Sequence, residues 1–373
     1  MRPKILLVAD TYHPKVDGTL RFIEEFIPRA KDFAVSLLVP NYGKRKHRVD
    51  VEKITFLDNS RFIKLSGYHV MKLSWKNVKK IREAIRENDI IFVQGPALIS
   101  YLAMYYGRIL KKKTVTYVHV ITWELYEKFL PPLINKLFHG IIKRVSIWLF
   151  NLCDLVLVPY RGLQRDLKKS GISTPMQIAR LGVDINRFSP EKNKEAMKQK
   201  LKIKQGTFVV GYVGRISKEK NVDVLVDAFA RIDVPNKLLL LVGDGDTKHY
   251  TNYEHIKITG FVDNVQDYLK TMDIFVMPSL TETTSLATLE AMSTGLPVVV
   301  TQVGMMKEYI SRNFNGLFFP RDNPAILSLK LEKLYKDEIL RRKLGKQARR
   351  TVAYSFSWER SINKIKRILK KLE

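Results

Sequence analysis

Short apolar runs alternate with amphipathic stretches along this 373-residue chain, and the alternation breaks off once and then begins again. Residues 4–9, 33–39, 90–94, 114–119, 155–159 and 177–181 form the first series of expected strands. A polar, Lys-rich joint follows at 191–205, and residues 208–213, 237–242, 256–259, 274–277 and 298–301 form the second. Strands separated by helical patterns pair in parallel, because each crossover returns the chain to the same end of the sheet, with helices covering both faces. The pattern therefore predicts an α/β protein of two Rossmann-like domains facing across a cleft, assigned to residues 1–188 and 189–356. Ligands of such sheets bind beyond the carboxyl ends of strands, so the loops after strands are where chemistry is expected. Residues 357–373 form a last helix, with Trp358, Ile362, Ile365, Leu369 and Leu372 on one face.

The most informative loop is Ser279-Leu280-Thr281-Glu282-Thr283-Thr284-Ser285-Leu286-Ala287-Thr288-Leu289-Glu290, where two glutamates stand with seven residues between them. A buried strand ends at Pro278. The Thr283-Thr284-Ser285 cluster offers N-caps, and a helical pattern runs from Leu286 until Gly295 stops it. Free N–H groups around Thr284, Ser285 and Leu286 present an anion with the positive end of a helix. Carboxylates accept bidentate hydrogen bonds from neighbouring hydroxyls, so Glu282 and Glu290 at either side of that anion suit a sugar and a ribose. The bare spacing fits equally a capping glutamate and a solvated one.

The surroundings decide between these. Glu290-Ala291-Met292 and Gly295-Leu296-Pro297-Val298-Val299 resemble the signature of the family-four retaining glycosyltransferases, the glycosyl transferases group 1. The resemblance covers most of the chain, is strongest over 208–316, and extends to lipid-directed hexosyltransferases. It implies a GT-B fold in which the terminal helix crosses back onto the first domain.

Other loops are read beside that resemblance. Asp10 to Thr19 follows the first strand, and a glycine at a strand-to-helix turn lets backbone approach a diphosphate. Gly18 matches the family's key glycine, and Asp17 stands where a second glycine is more usual. In Gly211-Tyr212-Val213-Gly214-Arg215-Ile216-Ser217-Lys218-Glu219-Lys220, two cations five residues apart can grip a diphosphate from two sides. Gly214, Arg215 and Lys220 match the family's positions at the leaving diphosphate, and Lys218 reads as a solvated neighbour. Val242-Gly243-Asp244-Gly245-Asp246 contains an Asp-x-Asp that could hold a metal, but it resembles the family's glycine turn at the nucleoside pocket. Cationic side chains and a helix start already neutralise phosphate, so neither a metal nor a cofactor is expected. Gly260-Phe261-Val262 matches a segment whose backbone binds the base, and His119 falls where the family has a strand-end histidine near the transferred sugar. The resemblance makes Glu282, His119, Arg215 and Lys220 the catalytic candidates. It implies retention at the anomeric carbon by front-face attack.

The partners follow less directly. Net charge is +28, with +17 in residues 1–190 and +11 in 191–373, and hydrophobic content is 45%, which argues against disorder. A basic surface serves nucleic acid, an anionic membrane or anionic substrates, and also arises by heat adaptation. Nucleic acid is disfavoured, since neither a reading helix nor aromatic-interleaved basic strands are present. A nicotinamide dehydrogenase is disfavoured because no Gly-x-Gly-x-x-Gly follows the first strand. In residues 131–151, Leu133, Ile134, Leu137, Phe138, Ile141, Val145, Trp148 and Leu149 share one helical side, opposite Lys136, His139, Lys143 and Arg144. That helix either covers the domain or lies in a membrane interface. Lys44-Arg45-Lys46-His47-Arg48 and Lys76, Lys79, Lys80, Arg82 and Arg86 add basic patches to the same domain. The expected partners are a nucleotide-diphosphate sugar (UDP-sugar first, GDP-mannose next), a lipid or lipid-linked acceptor, and an anionic membrane surface. A soluble acceptor and a nucleotide-sugar epimerase are the alternatives. Cys153 is the only cysteine and is expected to be buried and inert; without a signal peptide or an 18-residue apolar run, a cytoplasmic location, soluble or peripheral on the inner membrane face, is expected. Gly304-Met305-Met306 departs from the family's more usual Gly-Gly, which leaves the geometry of the donor-side loop open.

Overall fold

The apolar runs pair in parallel because each is buried on both faces. The computed structural model describes residues 2–14, 17–43, 49–65, 68–95, 97–121, 123, 132–250 and 253–372. Among them, contacts between Cα atoms divide the chain into two units, Met1–Arg180 with Ser361–Glu373, and Leu181–Arg360.

In the first unit, β1 (Lys4–Val8), β2 (Ala34–Pro40), β3 (Lys53–Leu57), β6 (Ile90–Val93), β7 (Lys113–Tyr117), β8 (Leu155–Val158) and β9 (Met176–Ile178) form one parallel sheet, in the order β3-β2-β1-β6-β7-β8-β9. An antiparallel hairpin, β4 (Asn59–Leu65) and β5 (Tyr68–Met71), stands apart from it. One face of the sheet buries Leu6, Val8, Ile91, Val93, Val156 and Val158 against Ile81, Ile85, Ala103 and Met104 of the helices Trp75–Arg86 and Leu98–Ile109. The terminal helix Trp358–Lys370 buries Ile362, Ile365, Ile368 and Leu369. Its Lys366 and Lys370 both reach Asp32 (2.6 and 2.7 Å), and Lys366 also donates to the Arg29 carbonyl. These cations hold the Asp32 carboxyl below the usual range although its partial burial works against ionisation.

In the second unit, β10 (Phe208–Val213), β11 (Lys237–Val242), β12 (Ile256–Ile258), β13 (Ile274–Met277), β14 (Val298–Thr301) and β15 (Leu317–Phe319) are parallel in the order β12-β11-β10-β13-β14-β15. The central strands are almost wholly inaccessible, as their continuous Val, Ile and Leu content requires.

The strand expectations hold in place and differ at the ends. β7 stops at Tyr117, two residues short of His119, and β6 stops before Gln94. The strands β3, β4, β5 and β15 are additional to the sequence reading. β3 is a half-exposed edge and β15 is three residues long, so neither presents a long apolar run. No helix among the described residues is long and apolar enough to cross a membrane.

Candidate active site

In the second unit, the 3₁₀ turn Lys218–Lys220 and the loop after β13 meet through the Leu280 N–H, which donates to the Glu219 carbonyl at 2.9 Å. That contact seats Lys220 Nζ 2.6 Å from Glu282 Oε1, to which the Ser279 hydroxyl also donates at 2.9 Å. Lys220 keeps 22% and Glu282 10% of its side-chain surface, so the pair is largely withdrawn from water and stronger than a surface bridge. The expected phosphate cation and sugar carboxylate are thus adjacent and tied together.

The helix Leu286–Ser293 begins beside them. Ser285 stands at its N-cap in a left-handed conformation, φ 58° and ψ 75°. The sequence offered Thr283, Thr284 and Ser285 as caps; in the structure no side chain caps the helix. Ser285 Oγ pairs instead with Thr288 Oγ1 at 2.8 Å, and buried Thr284 Oγ1 has no partner. The first-turn N–H groups therefore keep their capacity for an anion. Glu290 lies on this helix, one turn in from Leu286, half-buried.

Of the supports of this loop, the segment Gly304-Met305-Met306 was marked in the sequence by its departure from the family pattern, whereas Tyr309 carried no signal there. Tyr309 donates its hydroxyl to the Thr284 carbonyl at 3.1 Å, and Met305 N–H donates to the Thr283 carbonyl at 2.8 Å. Gly304, at φ 52°, lies against Glu282: a Cβ there would meet the Glu282 carbonyl oxygen, with the carbonyl carbon at 2.7 Å and Thr283 O at 2.8 Å. Gly304 is thus the residue that lets the Glu282 loop close onto the segment that follows β14, while Met305 and Met306 are buried beneath it.

The glycine loops pack backbone to backbone. Gly243, at φ 146°, faces Gly214, where a Cβ would meet the carbonyl oxygen and stand 2.9 Å from its carbon. Gly243 also bridges to Gly260, next to exposed Phe261 and half-buried Val262. The Asp244 carboxylate accepts from Gly245 N–H at 2.8 Å, which gives that aspartate a role in the turn. Arg215 is exposed, and the Tyr212 hydroxyl holds its carbonyl at 2.7 Å. Glu219 is partly buried, which disfavours its charge. Its own N–H, together with the nearby Arg215 and Lys220 cations, keeps its carboxyl below the usual range.

In the first unit, Gly18 opens the helix Gly18–Arg29, and Asp17 caps it by accepting from Leu20 N–H at 3.0 Å. The residue that departs from the family's glycine therefore has a local structural use. Lys15 and Val16 lie outside the described residues. Phe22 of the same helix sets its ring 5.6 Å from that of His119, and Tyr117 lies 4.5 Å away. His119 Nε2 meets Gln94 Oε1 at 2.9 Å, and burial pushes the imidazole down to about 3, so the ring is neutral across the physiological range. Asp10, just beyond β1, accepts from Ala97 and Ile99 N–H at 3.0 and 2.8 Å, and from Ser100. Burial raises its carboxyl against those hydrogen bonds. Gln94 and Asp10 each stand just past a strand, the only signal that could have marked them.

The helix expected over 131–151 runs Pro132–Leu152. Leu149 and Phe150 are buried, and Ser146 bonds Tyr101. Ile141, Val145 and Trp148 remain 54, 43 and 51% exposed, so the apolar side read from the sequence is split between core and solvent. The side chains of residues 132–138, residue 131, and the basic run 44–48 lie outside the described residues. Lys76, Lys79, Arg82 and Arg86 line a shallow groove of about 430 Å³ with Trp75, which is 85% exposed.

Comparison with known proteins identifies the family and the fold. The model of glycosyl transferases group 1 matches residues 193–351, and that of glycosyltransferase family 4 matches residues 20–187. The UDP-Gal:α-D-GlcNAc-diphosphoundecaprenol α-1,3-galactosyltransferase of Escherichia coli is 29% identical over 208 residues, which are 52% of this chain and 54% of that enzyme. The chain thus matches about half the length of that relative. The α-monoglucosyldiacylglycerol synthase of Acholeplasma laidlawii is 24% identical over 71% of each chain. Among solved structures, HepE of Anabaena in complex with UDP superposes with a TM-score of 0.79 at 19% identity, covering 99% of this chain and 100% of that one. Fold and family models agree: the chain belongs to the family 4, group 1 glycosyltransferases and has the GT-B fold of two Rossmann-like domains.

Proposed function

We propose that this chain is a retaining hexosyltransferase. Its donor is a nucleotide-diphosphate sugar, a UDP-sugar first and GDP-mannose next, and its acceptor a lipid or lipid-linked glycan at a membrane face. The observation that carries the donor side is the 2.6 Å Lys220–Glu282 pair beside a helix start that no side chain caps. On this reading Lys220, Arg215, Gly18 and the N–H groups from Thr284 to Leu286 hold the diphosphate. Glu282 takes hydroxyls of the donor sugar, Glu290 the ribose, and His119 stands beside the reacting carbon. Gly214, Gly243, Phe261 and Val262 shape the nucleoside pocket. The acceptor hydroxyl attacks the anomeric carbon from the side the diphosphate leaves, and a leaving phosphate oxygen takes its proton. The bond to the phosphate breaks as the new glycosidic bond forms, with retention. Fixed positive charge then stabilises the departing diphosphate, without calling on a metal.

Support for the acceptor side is the surface of the first unit. Arg82 lies over the Tyr106 ring (5.7 Å), Tyr106 meets Tyr105 (5.2 Å), and Tyr105 meets Trp148 (6.0 Å). Aromatic and basic side chains so linked, with Ile141, Val145 and Trp75 exposed nearby, suit the headgroup level of an anionic bilayer. One named relative transfers galactose to α-D-GlcNAc-diphosphoundecaprenol and another is a synthase of α-monoglucosyldiacylglycerol, which supports the same class of acceptor. The test is label transfer from UDP-glucose, UDP-galactose, UDP-N-acetylglucosamine and GDP-mannose to a lipid extract, with EDTA present. Label in lipid is expected. Label only in a soluble glycan would replace the acceptor, and dependence on added Mg²⁺ would overturn the metal-free mechanism.

A further inference from the structure

Three neighbouring strands of the first unit, β1, β6 and β7, end in polar groups that the protein itself leaves unused. Gln94, just beyond β6, is fully buried, and its backbone N–H donates to Val8 of β1 at 2.8 Å. Its Oε1 lies 2.9 Å from His119 Nε2. An amide oxygen only accepts, so the imidazole donates there, which fixes the Nε2–H tautomer and leaves Nδ1 as a lone pair. The same bond orients the amide, and Gln94 Nε2 is then buried with no partner. Thr11 Oγ1, just beyond β1, is also buried without a partner. Burying polar groups of this kind without a partner destabilises the fold, and an apolar residue would pack as well. Other polar groups near these strand ends have partners of their own. Asp10 is bonded to Ala97, Ile99 and Ser100, the Tyr117 hydroxyl donates to Ala179 O at 2.7 Å, and His13 pairs with Glu24 at 3.3 Å.

We propose that Gln94 is a positioning residue that sets the tautomer of His119, and that its Nε2–H₂ group and Thr11 Oγ hydrogen-bond hydroxyl oxygens of the sugar during transfer. This inference rests on the glycosyltransferase reading above for the identity of the ligand, but not for the tautomer. A neutral amide suits the task better than a carboxylate, because it orients the ring without drawing a proton onto it.

The experiment uses the full chain with ¹⁵N-histidine, His119 being assigned by the loss of its signals in His119→Asn. Wild type should show one Nε2–H tautomer that does not titrate between pH 8 and 5. Gln94→Glu should shift His119 titration into that window, since a carboxylate partner favours imidazolium. Gln94→Met should mix the tautomers and lower kcat at least tenfold with the active donor of the four named above, with KM for donor changed less than threefold and Tm retained. A wild-type ring of mixed tautomers, or a Gln94→Met enzyme with the wild-type tautomer and kcat, would overturn the proposal. If wild type transfers from none of the four donors, the sugar-binding half falls together with the proposed function, while the spectra still decide the tautomer.

Discussion

Gly304→Ala is the substitution whose effect can be worked most directly from the geometry. A methyl group at 304 would stand 2.7 Å from the Glu282 carbonyl carbon and 2.8 Å from Thr283 O, where ordinary contact is about 3.5–4.0 Å. Relief therefore requires the Glu282 loop or the 304 segment to move by about 1 Å. Met305 N–H is bonded to Thr283 O at 2.8 Å, so the two segments cannot part without losing that bond as well. A misplacement of about 1 Å at a reacting group costs on the order of 10²-fold in rate, or about 2.7 kcal/mol of barrier. The backbone at φ 52° adds about 1–2 kcal/mol of instability for a residue with a Cβ. Gly206→Ala separates the two effects. Gly206 has φ 71°, and no atom lies within 4 Å of where its methyl group would stand, so this variant suffers the strain without the clash. The assay is initial-rate label transfer with the active donor, alongside urea denaturation. Gly304→Ala should lose about 10²-fold in kcat/KM, and Gly206→Ala should lose only the strain component, about 1–2 kcal/mol of stability, with activity within twofold of wild type. Equal activities for the two variants would refute the claim that Gly304 seats Glu282.

Other expectations are open to simple measurements. His119 has its folded pKa lowered to about 3 from 6.5, so the unfolded chain takes up the proton first. Stability should fall as pH drops below 6.5, by at most about 1.4 kcal/mol per pH unit from this group, and His119→Asn should show a shallower fall in denaturation at pH 7, 6 and 5. An equal fall in both proteins would contradict the neutral ring. Burial, with the charge of Asp154 added, pushes the Cys153 thiol up, so iodoacetamide at pH 8 should leave the native protein unmodified and label it fully in urea. Rapid native labelling would show the thiol to be accessible. Exchanging Trp148, Ile141 and Trp75 for serine removes exposed apolar surface and should weaken flotation with anionic phosphatidylglycerol vesicles about tenfold without changing Tm. Unaltered flotation would locate membrane binding elsewhere.

How far the sequence could be read follows from what each feature depends on. β10, β11, β13 and β14 begin and end where the apolar runs do, because a parallel strand buried on both faces has no polar alternation to blur its limits. The hairpin of β4 and β5 and the edge strand β3 have no such signature. The loop before Leu286 was legible as a motif because its residues are consecutive. The Lys220–Glu282 pair spans 62 residues and needs the parallel crossing of β10 and β13 to exist at all. The apolar face of the helix Pro132–Leu152 was visible, but which part of it the sheet covers depends on packing against Leu98–Ile109, and Trp148 stays outside. Gln94 drew no role because its meaning lies in the partner of one atom and the lack of a partner for another.

The central claim is that the second unit holds a nucleoside diphosphate through Lys220 and the helix start at Leu286, with Glu290 on its ribose. Calorimetric titration of the full chain with UDP and with GDP, in EDTA, tests it most directly. The account predicts saturable binding of at least one diphosphate, weakened at least tenfold in Glu290→Ala and in Lys220→Ala. Failure of both diphosphates to bind the wild-type protein, or binding unaffected by either substitution, would contradict it.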